Sequence, residues 1–289
     1  MRAFLRLRSA LLAAAVAPCA FVGPAWAGSP ITYVSSAGAD SGDCATTATA
    51  CRTFGYAVGQ TAVRGEVKAI TPGQFGAFTI GKSLTVSGVE GAMIRQYGVG
   101  DAVTVAAGVA DVVNIIGLEL VGSGAHAPEG IAFRGVNALS AGALTVKNCV
   151  IRDFWGAGVA IAPTVGQIKF LIEDTTVINV GQDGVWVRST PRTASGAIRH
   201  LTVNGAGSAG VYVDYWNHVS VTDSLVTNSS VGYAAGGQAG LEIAHSTASQ
   251  NVTGLVRYGG GSKIESAGNN FIRDNATNVS GVVTVVGGQ

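Results

Sequence analysis

The chain has 289 residues, 47% of them hydrophobic and only 12% charged, with a formal net charge of +1. That balance argues against a nucleic-acid partner, which needs a basic stripe, and the apolar content excludes disorder. Forty-two glycines suit a chain with many tight corners, but glycine is not every third residue, so collagen is excluded.

Residues 1–27 read as an export signal. Arg2, Arg6 and Arg8 precede an apolar stretch over residues 11–22, and Ala25-Trp26-Ala27 offers a small-x-small cleavage site. The mature chain is expected to begin near Gly28. Cys19 follows Pro18, where a lipoprotein signal wants a small residue, so lipidation is disfavoured. No later segment has the ~20 uninterrupted apolar residues needed to span a membrane. The expected location is the periplasm, the outer surface or the extracellular space. Cys44 and Cys51 lie in a Ser/Thr/Ala/Gly loop, and in an oxidising compartment a disulfide closing that loop is expected. Metal ligation there would need further Cys or His nearby and finds none. Cys149 reads as a buried small hydrophobe.

The segment over residues 28–66 reads as a cap. Ile31-Thr-Tyr-Val34 is a short strand, and the run from Arg52 to Gln60 places Phe54, Ala57 and Val58 on one helical face. Such a cap would cover strand edges that an open solenoid end exposes. Thr71-Pro-Gly73 makes a turn, and Phe78-Thr-Ile80 and Lys82-Ser-Leu-Thr-Val86 begin the first regular coil.

Residues 67–289 repeat. A glycine followed by alternating apolar residues recurs as Gly130-Ile-Ala-Phe, Gly158-Val-Ala-Ile, Gly184-Val-Trp-Val and Gly210-Val-Tyr-Val, then more weakly at Gly232 and Gly254. A second register runs through Asn148, Asp174, Arg199, Asp223, His245 and Asn269. A fixed period of this length marks a solenoid. Leu144-Thr-Val146, Phe170-Leu-Ile172, Val219-Ser-Val221 and Leu241-Glu-Ile243 alternate as strands with one buried face, and no repeat holds a helix-length 3.6 pattern. The expected fold is all-β: a right-handed, single-stranded parallel β-helix of about nine coils, the hand following from the bias of parallel crossovers.

The run Cys51-Arg-Thr-Phe, Gly65-Glu-Val-Lys-Ala-Ile70-Thr-Pro-Gly73 and Thr79-Ile-Gly-Lys-Ser-Leu-Thr-Val86 resembles the opening of bacterial right-handed parallel β-helix proteins of the pectin-lyase-like superfamily. Over nearly the whole mature chain the similarity is greatest to secreted proteins described only as β-helix repeat proteins. It implies fold, export and an association with polysaccharides, without a reaction. The superfamily's active sites do not carry over. Gln182-Asp183-Gly184 is similar to the acidic turn of polygalacturonase-type hydrolases, but Ala157 and Ala209 stand at the equivalent places on adjacent coils. Pectate lyases need a carboxylate cage for Ca²⁺; here that column reads Lys147, Glu173, Ile198 and Thr222. Pectin methylesterases need two Asp with Gln partners, and no such cluster occurs.

Matching positions on successive coils stack about 4.8 Å apart. One outward column is expected to run Ala132, Ala160, Trp186, Tyr212, Ala234 and Val256, and another Ala162, Arg188, Asp214 and Gly236. Trp186 and Tyr212 should be neighbours on a solvent face, Arg188 and Asp214 should pair, and Tyr215, Trp216 and His218 should follow on the next corner. Aromatic rings beside a charged pair suit a sugar. Asp153, Asn179, Asn204, Asn228, Gln250 and Asp274 form an expected polar corner ladder. Asp174, Arg199 and Asp223 alternate in sign and should pair with one another. No metal or organic cofactor is expected; Ca²⁺ enters only under a lyase reading. Two functions remain. The favoured one is a secreted, non-catalytic β-helix of the cell envelope or extracellular space, in an envelope, matrix or adhesive role, for which Trp186, Tyr212, Tyr215, Trp216 and His218 are the candidate polysaccharide-binding residues. The alternative is a polysaccharide lyase or glycoside hydrolase with a divergent site built from Asp183, Arg188, His200 and Asp214. The oligomeric state is not readable from the sequence.

Overall fold

The structure is a computed structural model describing residues 28–124, 134–189 and 193–287. The expected leader, the Gly130 repeat with Ala132, and His126 lie outside the described residues. Strand β1 (Ser29–Val34) pairs in parallel with β2 (Thr61–Ala69). Between them, a disulfide joins Cys44 and Cys51, and helix α1 spans Phe54–Gln60. Thr53 caps that helix, its hydroxyl accepting from the Tyr56 N–H at 3.2 Å. The Asp40 carboxylate holds the entry, accepting from the Arg52 and Thr53 N–H groups at 2.9 Å each. Phe54, Ala57 and Val58 are the helix's buried residues. The Phe54 ring stacks on Phe78 and meets Phe75 edge-on, both at 5.1 Å between centroids. Covering the first coil in this way stabilises it by about 1.5–3 kcal/mol for the phenylalanine alone.

From β2 onward the chain visits three parallel sheets in strict rotation, one strand in each per coil. The first coil runs Thr61–Ala69, Gly73–Phe75 and Phe78–Ile80; the next runs Leu84–Ser87, Ala92–Arg95 and Val103–Ala106. The first sheet, which includes β1, has eleven strands, and the second and third have nine each. Inward residues of the first sheet form an apolar stack, Leu144 and Val146 over Phe170 and Ile172, then Ile198, Val219 and Val221.

The corners explain the polar periodicity. Asn148, Asp174, His200, Asp223 and His245 leave the first sheet with φ between 48° and 52°, a left-handed conformation that Asn, Asp and His tolerate best. Arg199, expected in this column, instead ends the strand Ala194–Arg199 and sits opposite Glu173. The sign-alternating trio is therefore replaced by three contacts: His200 Nδ1 lies 3.0 Å from Asp174 Oδ1, and Glu173 lies 2.7 Å from both Lys147 Nζ and Arg199 Nη2. The outer column beside Lys147 and Glu173 holds Arg199, while Ile198 points into the core. At the next corner Asp153, Asn179, Asn228, Gln250 and Asp274 are left-handed, and Gly205 occupies the place expected for Asn204. Asn204 still joins the ladder, its Oδ1 accepting from Asn228 Nδ2 at 3.0 Å; Asn179 donates to Asp153 at 2.8 Å.

Behind that corner runs a buried ladder that the periodicity did not single out. Ser229 Oγ accepts the Ala206 N–H, Asn251 Oδ1 accepts the Ser229 N–H, and Asn275 Oδ1 accepts the Asn251 N–H, at 2.9–3.1 Å. These side chains satisfy corner amides that adjacent strands cannot reach. No helix among the described residues is long and apolar enough to cross a membrane.

Candidate functional site

The third sheet carries an outer column of Thr79, Thr104, Asn137, Ala160, Trp186, Tyr212, Ala234 and Val256, each paired to the next in parallel register. The stack from Ala160 to Val256 is the expected one. Below it stands Asn137: Gly135-Val-Asn-Ala is the true repeat, with Val136 opposite Val159. The second expected column also forms. Backbone bonds place Arg188 beside Asp214, Gly236 above that, and Tyr258 above Gly236.

The outer face, called the trough below, is uneven in exposure, with Arg188 and Tyr258 open to solvent between more buried neighbours. Ala160 and Ala234 have no exposed surface, Asn137 is buried, and Trp186 and Tyr212 are half-buried. Tyr212 packs on Ala209, Val231, Ala234 and Val256, and meets Tyr258 edge-on at 5.9 Å. Trp186 has two guanidinium neighbours, Arg188 at 5.6 Å and Arg134 at 5.9 Å from the ring centroid. Arg188 also lies 5.2 Å from the Tyr215 ring, donates to the Tyr215 hydroxyl at 3.0 Å and pairs with Asp214 at 3.7 Å. Tyr215 makes these contacts from φ 57°, an unusual conformation for a bulky residue. Asp214 in turn accepts the Tyr215 N–H at 2.8 Å.

At the trough's lower end, Asp101 accepts the Arg134 N–H at 3.0 Å and an Asn137 amide N–H at 2.7 Å, with the Arg134 guanidinium 3.6 Å away. Arg134 Nε and Asn137 Oδ1 are buried and have no hydrogen-bond partner among the described residues. Leaving such a donor and acceptor unmade costs about 1–3 kcal/mol each, as it does at the equally buried Arg95 Nε of the second sheet.

Two kinds of acidity are perturbed here. Burial pushes the Asp183 carboxyl up, against bonds from the Ala209 N–H and the Ser208 hydroxyl that pull it down. Burial, then the neighbouring charge of Asp214, pushes the Tyr212 phenol up to about 12, and burial followed by the charge of Asp183 raises Tyr258.

The chain thus brings together Trp186, Arg188, Tyr212, Asp214 and Tyr215, with Asp183 close enough for its charge to act on the two tyrosines. Three candidates fall elsewhere. His200 sits with Asp174 on the corner between the first and second sheets. Trp216 is 56% exposed on the turn after Asp214, without a ring contact among the described residues. His218 opens a strand of the first sheet and lines a separate open depression of about 440 Å³ with Lys169, Ser195 and Glu242. Asp101, Arg134, Asn137 and Tyr258 were missed. Tyr258 could have been found by carrying the Asp214 column forward two coils, and Arg134 and Asn137 by reading Gly135 as the repeat glycine. Among the described residues no group of His, Cys, Asp and Glu is arranged to hold a metal ion.

Two solved structures resemble the chain at low identity. The GH136 lacto-N-biosidase from Eubacterium ramulus shares 11% identity with a TM-score of 0.43, covering 89% of this chain and 67% of its own. The pectin methylesterase from Aspergillus niger shares 12% with a TM-score of 0.36, covering 90% and 92%. Scores this low carry no functional argument. No curated protein sequence matches. The model of the right-handed β-helix region family matches residues 130–288. With more than half of its length matched and three parallel sheets wound in rotation, the chain belongs to the right-handed β-helix region family.

Proposed function

We propose that the protein is an exported carbohydrate-binding β-helix whose third-sheet trough takes a sugar chain across Trp186. The arrangement that carries this reading is the Trp186 ring flanked by two guanidiniums, with Tyr212, Tyr215 and Tyr258 beside it and two unsatisfied polar atoms at its foot. An apolar ring face with a few convergent polar groups is what a pyranose needs. Residues 1–27, read as a leader, and the Cys44–Cys51 disulfide support export. The segment over residues 28–66 is proposed to serve as cap and residues 67–289 as the binding solenoid. The test is affinity for a polysaccharide panel: Trp186→Ala should weaken binding at least tenfold, about 1.4 kcal/mol, in a protein that remains folded. Unchanged affinity would remove the trough from the reading.

One observation favours a second reading, glycoside hydrolysis. Asp183 is a buried carboxyl raised by its surroundings and bonded to an amide and a hydroxyl, and Asp214 is a second, equally buried carboxyl on the same sheet that is ion-paired to Arg188. Carboxyls in contrasting environments are how hydrolases separate a proton donor from a base or nucleophile. New reducing ends released from any polymer, and lost in Asp183→Asn, would establish it. Binding without product in every case would leave the trough as a binding surface.

A further inference from the structure

The trough's charges are already answered from within. Arg134 is held by Asp101 and Arg188 by Asp214, so neither guanidinium is uncommitted. The third carboxylate, Asp183, is 7% exposed and draws its hydrogen bonds from an amide and a hydroxyl, not from a cation. Around Trp186, Asp101, Asp183 and Asp214 therefore stand against Arg134 and Arg188, an acidic surplus on a face where only Arg188 of the five is exposed. An entering carboxylate would meet only cations that already have partners, Arg134 and Arg188 with carboxylates and Arg257 with the Ser262 and Gly260 carbonyls, and would have to compete with Asp101 and Asp214 for the nearer two. A hydroxyl meets no such penalty. It donates and accepts at once, so it can bond to the paired carboxylates and guanidiniums without separating them. The phenols of Tyr212 and Tyr258 add groups of the same kind.

We infer that the trough selects neutral, hydroxyl-rich saccharides and rejects polyuronates, an inference that rests on the carbohydrate-binding reading of this face. The specificity is set by Asp101 and Asp214, which neutralise the two arginines lying over Trp186. Removing either carboxylate frees a cation and should open the trough to uronates.

The experiment is calorimetric titration of the folded chain with neutral glucan, galactan, xylan and mannan oligosaccharides, and with oligogalacturonate and oligomannuronate of matching length. At least one neutral oligosaccharide should bind at least tenfold more tightly than either uronate, with an affinity nearly indifferent to added salt. Asp214→Asn should gain roughly tenfold or more in uronate affinity at low ionic strength, and lose that gain in high salt. Asp101→Asn should do the same through Arg134, and keeps the test decisive if Asp214→Asn does not fold. Uronate binding that equals or exceeds neutral binding in the parent chain overturns the specificity while leaving a carbohydrate-binding trough. Carboxylate variants with no gain for uronates overturn it too. Failure of every saccharide to bind the folded parent instead overturns the carbohydrate reading itself.

Discussion

Replacing Gly236 with alanine puts a methyl group into the rung between Asp214 and Tyr258. A Cβ there would lie 2.6 Å from the Tyr212 hydroxyl oxygen and 2.9 Å from Asp214 Oδ1, with the Tyr212 ring edge next at 3.2 Å. All three are side-chain atoms, so the backbone can stay and the two side chains must move. Forcing each about 30° from its rotamer costs roughly 0.5–1.5 kcal/mol. Loosening the bond between the Tyr212 phenol and the Asp214 carboxylate adds about 1 kcal/mol. A total near 2–4 kcal/mol lowers Tm by about 4–16 °C at roughly 2–4 °C per kcal/mol. Far-UV circular dichroism should be unchanged. Separation from Asp214 should also bring the Tyr212 phenol down from about 12, which ultraviolet titration of tyrosine reads directly. Saccharide affinity should fall at least tenfold. Gly237→Ala is the contrast: φ is +57° and its Cβ would meet the Tyr215 backbone nitrogen at 2.8 Å, so its cost falls on the corner itself. If Gly236→Ala lowers Tm and the phenol pKa but leaves affinity within twofold, Tyr212 and Asp214 are not part of the binding surface.

Asp183→Asn retains an acceptor for the Ala209 N–H and removes a buried charge. Because the folded carboxyl is raised, its contribution favours folding below the ordinary aspartate pKa and is lost as pH rises through the raised value. The variant should therefore be more stable than the parent at neutral pH and lose that advantage on acidification; a Tm difference constant from about pH 4 to 8 refutes the assignment. Reducing the Cys44–Cys51 bridge, or changing both residues to serine, should cost about 2–3 kcal/mol by loop-closure entropy. That loss would be visible as earlier proteolysis ahead of α1. Asn251→Ala strips partners from the Ser229 N–H and the Val226 carbonyl inside the corner. Its expected cost is about 2–4 kcal/mol in thermal unfolding, and a loss under 0.5 kcal/mol means water replaces the ladder.

The sequence shows the solenoid plainly because two physical demands recur each coil. Inner strand positions must be aliphatic, and the corner leaving the first sheet needs a residue that accepts positive φ, which Asn148, Asp174, His200, Asp223 and His245 supply. Errors came where the chain between those demands varies in length. Gly130 and Gly135 both precede apolar residues, and it is the run after Gly135 that pairs in the third sheet; Arg199 and His200 both suit a polar column, but only His200 takes the left-handed turn. Trp186, Tyr212, Arg188 and Asp214 were legible because a constant step carries one column into the next. His200 and His218 were misplaced because nearness along a coil says nothing about which of three faces a side chain leaves from. Arg134 was hidden by the adjoining length variation, and Tyr258 by its distance of two coils from Asp214.

The trough lies where the coil changes length, and that coincidence has a structural cause. From Ala160 to Trp186 to Tyr212 the step is 26 residues; from Tyr212 to Ala234 to Val256 it is 22. The third sheet keeps its register, so the lost residues must come out of corners. Most come from the one that leaves this face: Val187 to Ile198 takes eleven residues, whereas the paired Val213 to Val221 takes eight. The shorter corner turns at once after Asp214, forces Tyr215 into its left-handed conformation and lays its ring and hydroxyl against Arg188 one coil below. Asn217 fixes the turn by accepting the Ala194 N–H at 2.7 Å and the Ser189 hydroxyl at 2.9 Å. A solenoid of uniform coils would stack corner over corner and leave the Arg188 guanidinium without its contact to the Tyr215 ring and hydroxyl. The change of length staggers them, and the stagger adds the Tyr215 ring and hydroxyl to a column that would otherwise present Arg188 and Asp214 alone.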